Sequence, residues 1–118
     1  MSNEQKRYAI VVNDRAAQML YTHIRFVANV SIPAARKLKT TLYDAIASLE
    51  RMPFRCTVYR THNTSDSYHQ LIVGRYKLIF SINEKDMIVN IRYILDSRHD
   101  NDDLGKDNVR AFSDSLDS

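Results

Sequence analysis

Two segments decide the fold: Tyr76–Ile82 reads YKLIFSI, Met87–Leu95 reads MIVNIRYIL, and the polar tetrapeptide NEKD separates them. Both segments are rich in β-branched and aromatic residues and alternate between apolar and polar over much of their length, which predicts two β-strands. Because the link is short, the strands should pair antiparallel. Upstream, Cys56–Arg60 and Tyr68–Val73 predict two more strands, and Gly74 can supply the positive φ of a tight turn.

In the sequence before these strands, apolar residues recur mostly with the period of an α-helix. Tyr8–Val12 predicts one short strand. Asn13 or Asp14 can cap the first helix that follows, and Ser31 can cap the second. Met52-Pro53 is predicted to end the second helix. The apolar faces of the two helices are Ala17, Leu20, Ile24 and Val27, then Leu38, Leu42, Ala45 or Ile46, and Leu49. The order β-α-α-β-β-β-β predicts an α+β fold, in which a helical hairpin packs on one face of a small, mainly antiparallel sheet.

The length and the charge distribution indicate one domain with a tail. The chain has 118 residues and a net charge of +3. Residues 1–98 carry 15 Lys and Arg against 8 Asp and Glu, a balance of +7, whereas residues 99–118 carry two against six, a balance of −4. We therefore predict a basic domain over 1–98 and an acidic, flexible tail over 99–118. A basic body favours an acidic partner, either nucleic acid or an acidic polypeptide.

Several features favour a cytoplasmic protein. No apolar run approaches the roughly 18–20 residues of a membrane span, and Met1–Arg7 lacks the apolar stretch of a secretory signal. The single cysteine, Cys56, cannot form an intramolecular disulfide, which agrees with a reducing compartment. The spacing of His, Cys and Asp suggests no zinc site, and no glycine-rich phosphate loop is present, so we expect no metal and no cofactor.

Alternation along the last two strands predicts which side chains face the helices. The predicted inner set is Tyr76, Leu78, Phe80, Ile82, Val89, Ile91, Tyr93 and Leu95, and the predicted outer set is Lys77, Ile79, Ser81, Asn90, Arg92, Ile94, Asp96 and Arg98. The outer face would then be a half-open cationic surface of Lys77, Arg92 and Arg98, with Arg75 beside the turn. Solvated charges, with Asp96 paired to Arg98, are the alternative interpretation of this face.

The same strands resemble a known family. Gly74–Phe80 (GRYKLIF) is similar to the Gly-x-Tyr-Arg-aliphatic-aliphatic-aromatic strand of the RelE/ParE toxins, and Ile91–Asp100 (IRYILDSRHD) is similar to the last strand of the ParE branch. Pro53 after a leucine-rich helix and the order of the elements also match. The resemblance covers about residues 8–100. It implies the toxin of a type II toxin–antitoxin (plasmid stabilisation) system, held inactive by a cognate antitoxin.

Two targets remain open within that superfamily. ParE members inhibit DNA gyrase by binding, whereas RelE members are metal-independent nucleases that cleave mRNA on the ribosome. Lys77 stands where the family usually has Arg, no tyrosine follows Tyr93, and alternation points Tyr93 inward. The lack of a convincing acid–base pair, together with the ending Asp96-Ser97-Arg98-His99-Asp100, favours the gyrase-binding hypothesis. A homologue that has lost its activity also fits.

The candidate site residues differ between the hypotheses. For target or antitoxin binding they are Arg75, Lys77, Arg92, Asp96 and Arg98, and for a nuclease they are Lys77, Arg92, Arg98 and His99. The antitoxin partner would offer an acidic or partly disordered segment, and toxin and antitoxin would form a hetero-oligomer. We expect no membrane partner.

Overall fold

The computed structural model describes residues 7–59 and 67–97, so the predicted acidic tail lies outside the described residues. The elements are β1 (Ala9–Val12), α1 (Asp14–Ala28), α2 (Ile32–Ser48), a 3₁₀ turn (Pro53–Arg55), β2 (Thr57–Tyr59), β3 (Tyr68–Val73), β4 (Tyr76–Asn83) and β5 (Ile88–Asp96). The predicted order, in which one strand is followed by two helices and then by four strands, is confirmed. No helix within the described residues is long and apolar enough to span a membrane.

Side-chain caps start both helices. The Asn13 side-chain oxygen accepts a hydrogen bond of 2.9 Å from the backbone N–H of Ala16, and Ser31 Oγ accepts one of 3.2 Å from Ala34. These bonds satisfy donors that a helix start leaves free, which is why Asn and Ser are favoured there. α2 ends at Ser48, earlier than the predicted stop at Met52-Pro53, and Pro53 begins the 3₁₀ turn instead.

The sheet has the strand order β1-β5-β4-β3-β2. β1 runs parallel to β5 and the other neighbours are antiparallel, so the prediction of a mainly antiparallel sheet is confirmed. α1 and α2 cover one face, here called the helix face. The core on that face consists of Ala16, Leu20, Leu42, Ile46, Leu49, Tyr76, Leu78, Phe80, Val89, Ile91 and Ile94. Ala16, rather than the predicted Ala17, is the buried alanine of α1.

A β-bulge interrupts the alternation of β5. Phe80 pairs with Ile91, but the preceding residue Ile79 pairs with Tyr93, so Arg92 is one residue more than β4 can match. An extra residue shifts every later side chain to the opposite face. The predicted faces of four residues are therefore wrong: Tyr93 and Leu95 lie on the outer face, and Ile94 and Asp96 lie on the helix face.

The bulge gives the outer face an apolar cluster of its own. Tyr59, Tyr68, Ile79, Tyr93 and Leu95 are buried together there, and Met19 of α1 packs against them. Met19 also contacts the core on the helix face, so its side chain reaches both clusters at the margin of the sheet. The predicted half-open cationic surface is thus largely filled by aromatic rings.

Candidate functional site

Lys77 and Arg92 are the predicted cations that the structure places on the outer face. Lys77 pairs with Leu95 across the strands, and both cations are half-buried. The guanidinium carbon of Arg92 lies 6.0 Å from the centre of the Tyr68 ring, at the outer limit of a cation–π contact. The Arg92 Nε atom is buried and makes no hydrogen bond to the described residues. The bulge therefore positions a half-buried arginine, with its Nε atom shielded from solvent, beside the tyrosine cluster.

The phenol at the centre of this face is held neutral. Tyr93 is only 4% exposed. Burial raises the pKa of Tyr93 above its ordinary value, and Tyr68 raises it further, while Arg92 and Arg15 act in the opposite direction. A phenol whose pKa is raised stays protonated at pH 7, so it is not available to accept a proton. The geometry therefore fits a packed structural tyrosine better than a general base.

Arg15 is a cation of this region that the sequence did not indicate. It lies in the first turn of α1, is exposed, and is near enough to Tyr93 to affect the pKa of that phenol. No pattern in the sequence of α1 indicated Arg15, because its proximity to Tyr93 depends on how α1 docks against β5. Arg15, Lys77 and Arg92 therefore form the described cationic set, named here the outer cations.

The other predicted site residues lie elsewhere. Arg75 is in the β3–β4 turn, and its guanidinium carbon is 6.0 Å from the ring of Tyr76, a residue of the helix face. Asp96 is buried and pairs with Tyr76, so it does not join the outer cations. The predicted pair of Asp96 with Arg98 involves a residue outside the described residues. Arg98 and His99 lie outside the described residues.

The free margin of β5 is closed by side chains of α1. β1 ends at Val12, opposite Ile91, so within residues 7–59 and 67–97 the later part of β5 has no strand neighbour on that side. His23 Nε2 donates a hydrogen bond of 2.7 Å to the carbonyl oxygen of Ile94, and the N–H of Ile94 lies 3.5 Å from the sulfur of Met19. Both backbone polar groups of Ile94, at the edge of the sheet, are thus satisfied, which protects an edge that could otherwise pair with another chain.

An apolar groove lies where β1 meets the helical hairpin. Its lining residues are Ile10, Val12, Ala17, Leu20, Tyr43, Ile46, Ala47 and Glu50, and its volume is about 460 Å³. Tyr43 is half exposed, and Glu50 is the acidic member of the lining. A concave apolar surface of this size can hold side chains of a bound segment. This surface is named here the β1 groove.

Side chains suited to metal or thiol chemistry are dispersed. Among residues 7–59 and 67–97, no three His, Cys, Asp or Glu side chains form a group that could hold a metal ion. Burial raises the pKa of the Cys56 thiol, an effect that Arg55 opposes, so the thiol stays protonated near pH 7. His69 packs between Phe54 and Phe80, and the centre of its ring lies 5.8 Å from the centre of each phenylalanine ring. Its contacts are those of a packing residue.

Known proteins share this architecture. Residues 10–101 match the family described as the ParE toxin of the type II toxin–antitoxin system parDE. Among solved structures, a chain of the chromosomal ParDE system of P. aeruginosa is 13% identical, with a TM-score of 0.60 over 75% of this chain and 95% of that chain. A chain of the toxin–antitoxin complex RelBE2 of Mycobacterium tuberculosis is 19% identical, with a TM-score of 0.53 and the same two coverages.

An archaeal RelE–RelB complex from Pyrococcus horikoshii also contains a similar chain, 18% identical with a TM-score of 0.50, over 75% of this chain and 92% of that one. No curated protein matches the chain significantly. These structures share the fold of this chain, and together with the family match they place it in the RelE/ParE superfamily of toxins from type II toxin–antitoxin systems. Because the family match spans most of its length, the chain belongs to the ParE toxin family.

Proposed function

We propose that this toxin acts by binding and inhibiting DNA gyrase, and that a cognate antitoxin neutralises it in a toxin–antitoxin hetero-oligomer. The observation that carries the gyrase proposal is the close packing of tyrosine side chains on the outer face. Its central tyrosine is buried and neutral, and Lys77 and Arg92 lie beside a cluster of packed rings. A binding toxin needs a surface of this kind and no acid–base pair.

The antitoxin is proposed to bind two surfaces. The β1 groove offers an apolar cleft for the hydrophobic side chains of a segment that folds on contact. The outer cations and Arg75 offer positive charge to the acidic side chains of the same partner, which would speed the encounter. The excess of basic residues over residues 1–98 supports an acidic partner in general.

The gyrase proposal is tested with purified full-length protein in a supercoiling assay. We expect loss of supercoiling or trapped DNA breaks, and recovery of gyrase activity when the cognate antitoxin is added in equimolar amount. The same preparation is offered translating ribosomes with mRNA, where intact message is expected. Unaffected gyrase together with codon-associated mRNA cuts would reject the proposal.

A ribosome-dependent mRNA endoribonuclease is the second candidate, and the β-bulge is the observation that favours it. The bulge brings Tyr93 to the same face as Arg92 and Lys77, whereas alternation alone had directed the tyrosine inward. Cations could stabilise a phosphorane, and a protonated phenol could serve as an acid. Arg98 and His99 would complete this set from the segment that follows Ser97.

The second candidate is tested with His99→Gln and Tyr93→Phe. A general acid or base contributes roughly 100-fold or more to rate, so a nuclease should lose at least that much toxicity in one of the two variants. A gyrase-binding toxin should keep nearly all of its toxicity in both. Ser81→Ala, on the outer face of β4, is the control for nonspecific damage to that face.

A further inference from the structure

A second groove lies on the helix side of the sheet, between the first half of α2 and the β3–β4 turn. It has a volume of about 290 Å³. Leu38, Val73 and Tyr76 contribute its apolar surface, and Lys37 and Arg75 contribute two exposed cations. None of the described residues that line it is acidic. The surface, named here the α2 groove, is therefore suited to a ligand with both negative charge and an apolar side chain.

The chain itself leaves the described fold at the rim of this groove. The backbone N–H of Ser97 donates a hydrogen bond of 2.6 Å to the carbonyl oxygen of Arg75, and Ser97 Oγ donates one of 2.7 Å to the same oxygen. Two bonds to one carbonyl hold Ser97 against a residue that lines the groove. The 21 residues that follow it therefore start next to Arg75, a residue of the groove lining.

The first acidic stretch after Ser97 has the matching chemistry. Asp100–Leu104 reads DNDDL, with three carboxylates followed at once by a leucine. We propose that Asp100–Leu104 binds intramolecularly in the α2 groove, with its carboxylates on Lys37 and Arg75 and Leu104 against the apolar surface. The acidic tail is then an internal ligand of the basic body.

Reach and charge both support this occupant. An extended chain spans at most about 3.3–3.6 Å per residue, so the three steps from Ser97 to Asp100 cover about 10 Å and the acidic stretch can lie along the groove. A short tether gives a segment an effective concentration in the millimolar range, so weak contacts suffice for occupancy. A free acidic segment from another protein would have to displace this tail to reach Arg75.

Backbone relaxation of the uniformly ¹⁵N-labelled full-length protein tests the proposal. Order parameters near 0.85 mark a rigid amide and values below about 0.6 a flexible one. We expect Asp102, Asp103 and Leu104 to lie above about 0.7 at low ionic strength. At about 1 M salt the Debye length is only about 3 Å, so those values should fall.

Two matched sets of variants assign the contact. Lys37→Glu with Arg75→Glu should lower the order parameters of the tail below about 0.6. Arg36→Glu with Lys39→Glu makes the same charge change on exposed residues of α2 that do not line the groove, and should leave the tail ordered. The tail variant Asp102→Asn, Asp103→Asn, Leu104→Ser leaves the folded body intact and should shift the amide resonances of Gly74 and Arg75 relative to wild type.

Three results would overturn the proposal. A wild-type tail with order parameters below about 0.6 means that the groove is empty in the isolated protein. A tail that loses order equally in both charge-reversal variants responds to net charge rather than to the groove. Ordering that rises with protein concentration, together with slower diffusion, assigns the groove to the tail of a second copy.

Discussion

Tyr93 lies directly opposite Ile79 on the face of the sheet that points away from the helices, because Arg92 has no partner on β4. That one unmatched residue determines which side chains build each face of β5. It also converts the outer face from an open charged surface into a packed cluster with three cations beside it. The consequences can be measured on stability and on activity separately.

Two substitutions of Tyr93 can distinguish a packing role from a chemical role. Replacing a buried aromatic residue by alanine costs about 3 kcal/mol or more, so Tyr93→Ala should lower the free energy of unfolding by that amount in urea titration. Tyr93→Phe keeps the ring and should cost only about 1 kcal/mol. We expect Tyr93→Phe to inhibit gyrase like wild type. A stable Tyr93→Phe protein with a large loss of toxicity would instead give the hydroxyl a chemical role.

The hydrogen bond between His23 and Ile94 should be measurable as stability. His23→Leu keeps apolar volume but removes the donor, which leaves a partly buried carbonyl unsatisfied at a cost of about 1–3 kcal/mol. Thr22→Ala, at the exposed neighbouring position of α1, serves as the control and should stay within about 0.5 kcal/mol of wild type. Equal unfolding free energies for His23→Leu and wild type would show that this contact does not protect the margin of β5.

The outer cations should contribute to antitoxin affinity. Lys77→Glu and Arg92→Glu should each weaken binding by roughly tenfold, which corresponds to about 1.4 kcal/mol. The matched control is Lys85→Glu, an exposed lysine in the β4–β5 turn at the opposite end of the strands. Titration calorimetry at two salt concentrations measures the effect, and circular dichroism checks the fold. Unchanged affinity in both outer-face variants would remove this face from the antitoxin interface.

The proposed contact between the antitoxin and the β1 groove can be tested with a substitution in its lining. Ala47 is an exposed lining residue, so Ala47→Glu should fold normally but place a charge where apolar side chains of the antitoxin are proposed to bind. We expect at least a tenfold loss of antitoxin affinity, because an unpaired charge is costly in a closed apolar contact. Thr40→Glu makes a comparable change on α2 outside the groove, and its affinity should match wild type.

His69 should make stability depend on pH. Burial lowers the pKa of the His69 imidazole below 6.5, so the folded protein binds a proton there less readily than the unfolded chain. Stability from this residue is fully present above the unfolded pKa of about 6.5 and is lost as pH falls through it toward the lower folded pKa. The difference in unfolding free energy between wild type and His69→Gln should therefore be larger at pH 7.5 than at pH 5.5. A difference that grows on acidification would contradict this assignment.

Much of the fold could be predicted from local patterns. The caps Asn13 and Ser31, the helical period of Leu42, Ile46 and Leu49, and the turn at Gly74 are each decided by neighbouring residues in the chain. The resemblance of GRYKLIF and IRYILDSRHD to the family also depended on short contiguous motifs. These features can be predicted without the tertiary fold because the interactions that favour them lie within a few residues of sequence.

The candidate site could not be predicted in the same way. Lys77 was placed correctly, because β4 alternates without interruption over residues 76–80. Arg15 was missed, since its proximity to Tyr93 depends on how α1 docks against β5. The two grooves are formed between elements distant in sequence, so no single stretch indicates them.

The amino-acid sequence by itself determined the order of the elements, the helix starts, the helix face of β4 and the charge difference between body and tail. Only the tertiary structure decided the faces of Tyr93, Ile94, Leu95 and Asp96. The physical reason is that a bulge is a mismatch between two strands: within β5 alone Arg92 is an ordinary alternating residue, and it becomes an extra one only when Phe80 and Ile79 pair on either side of it.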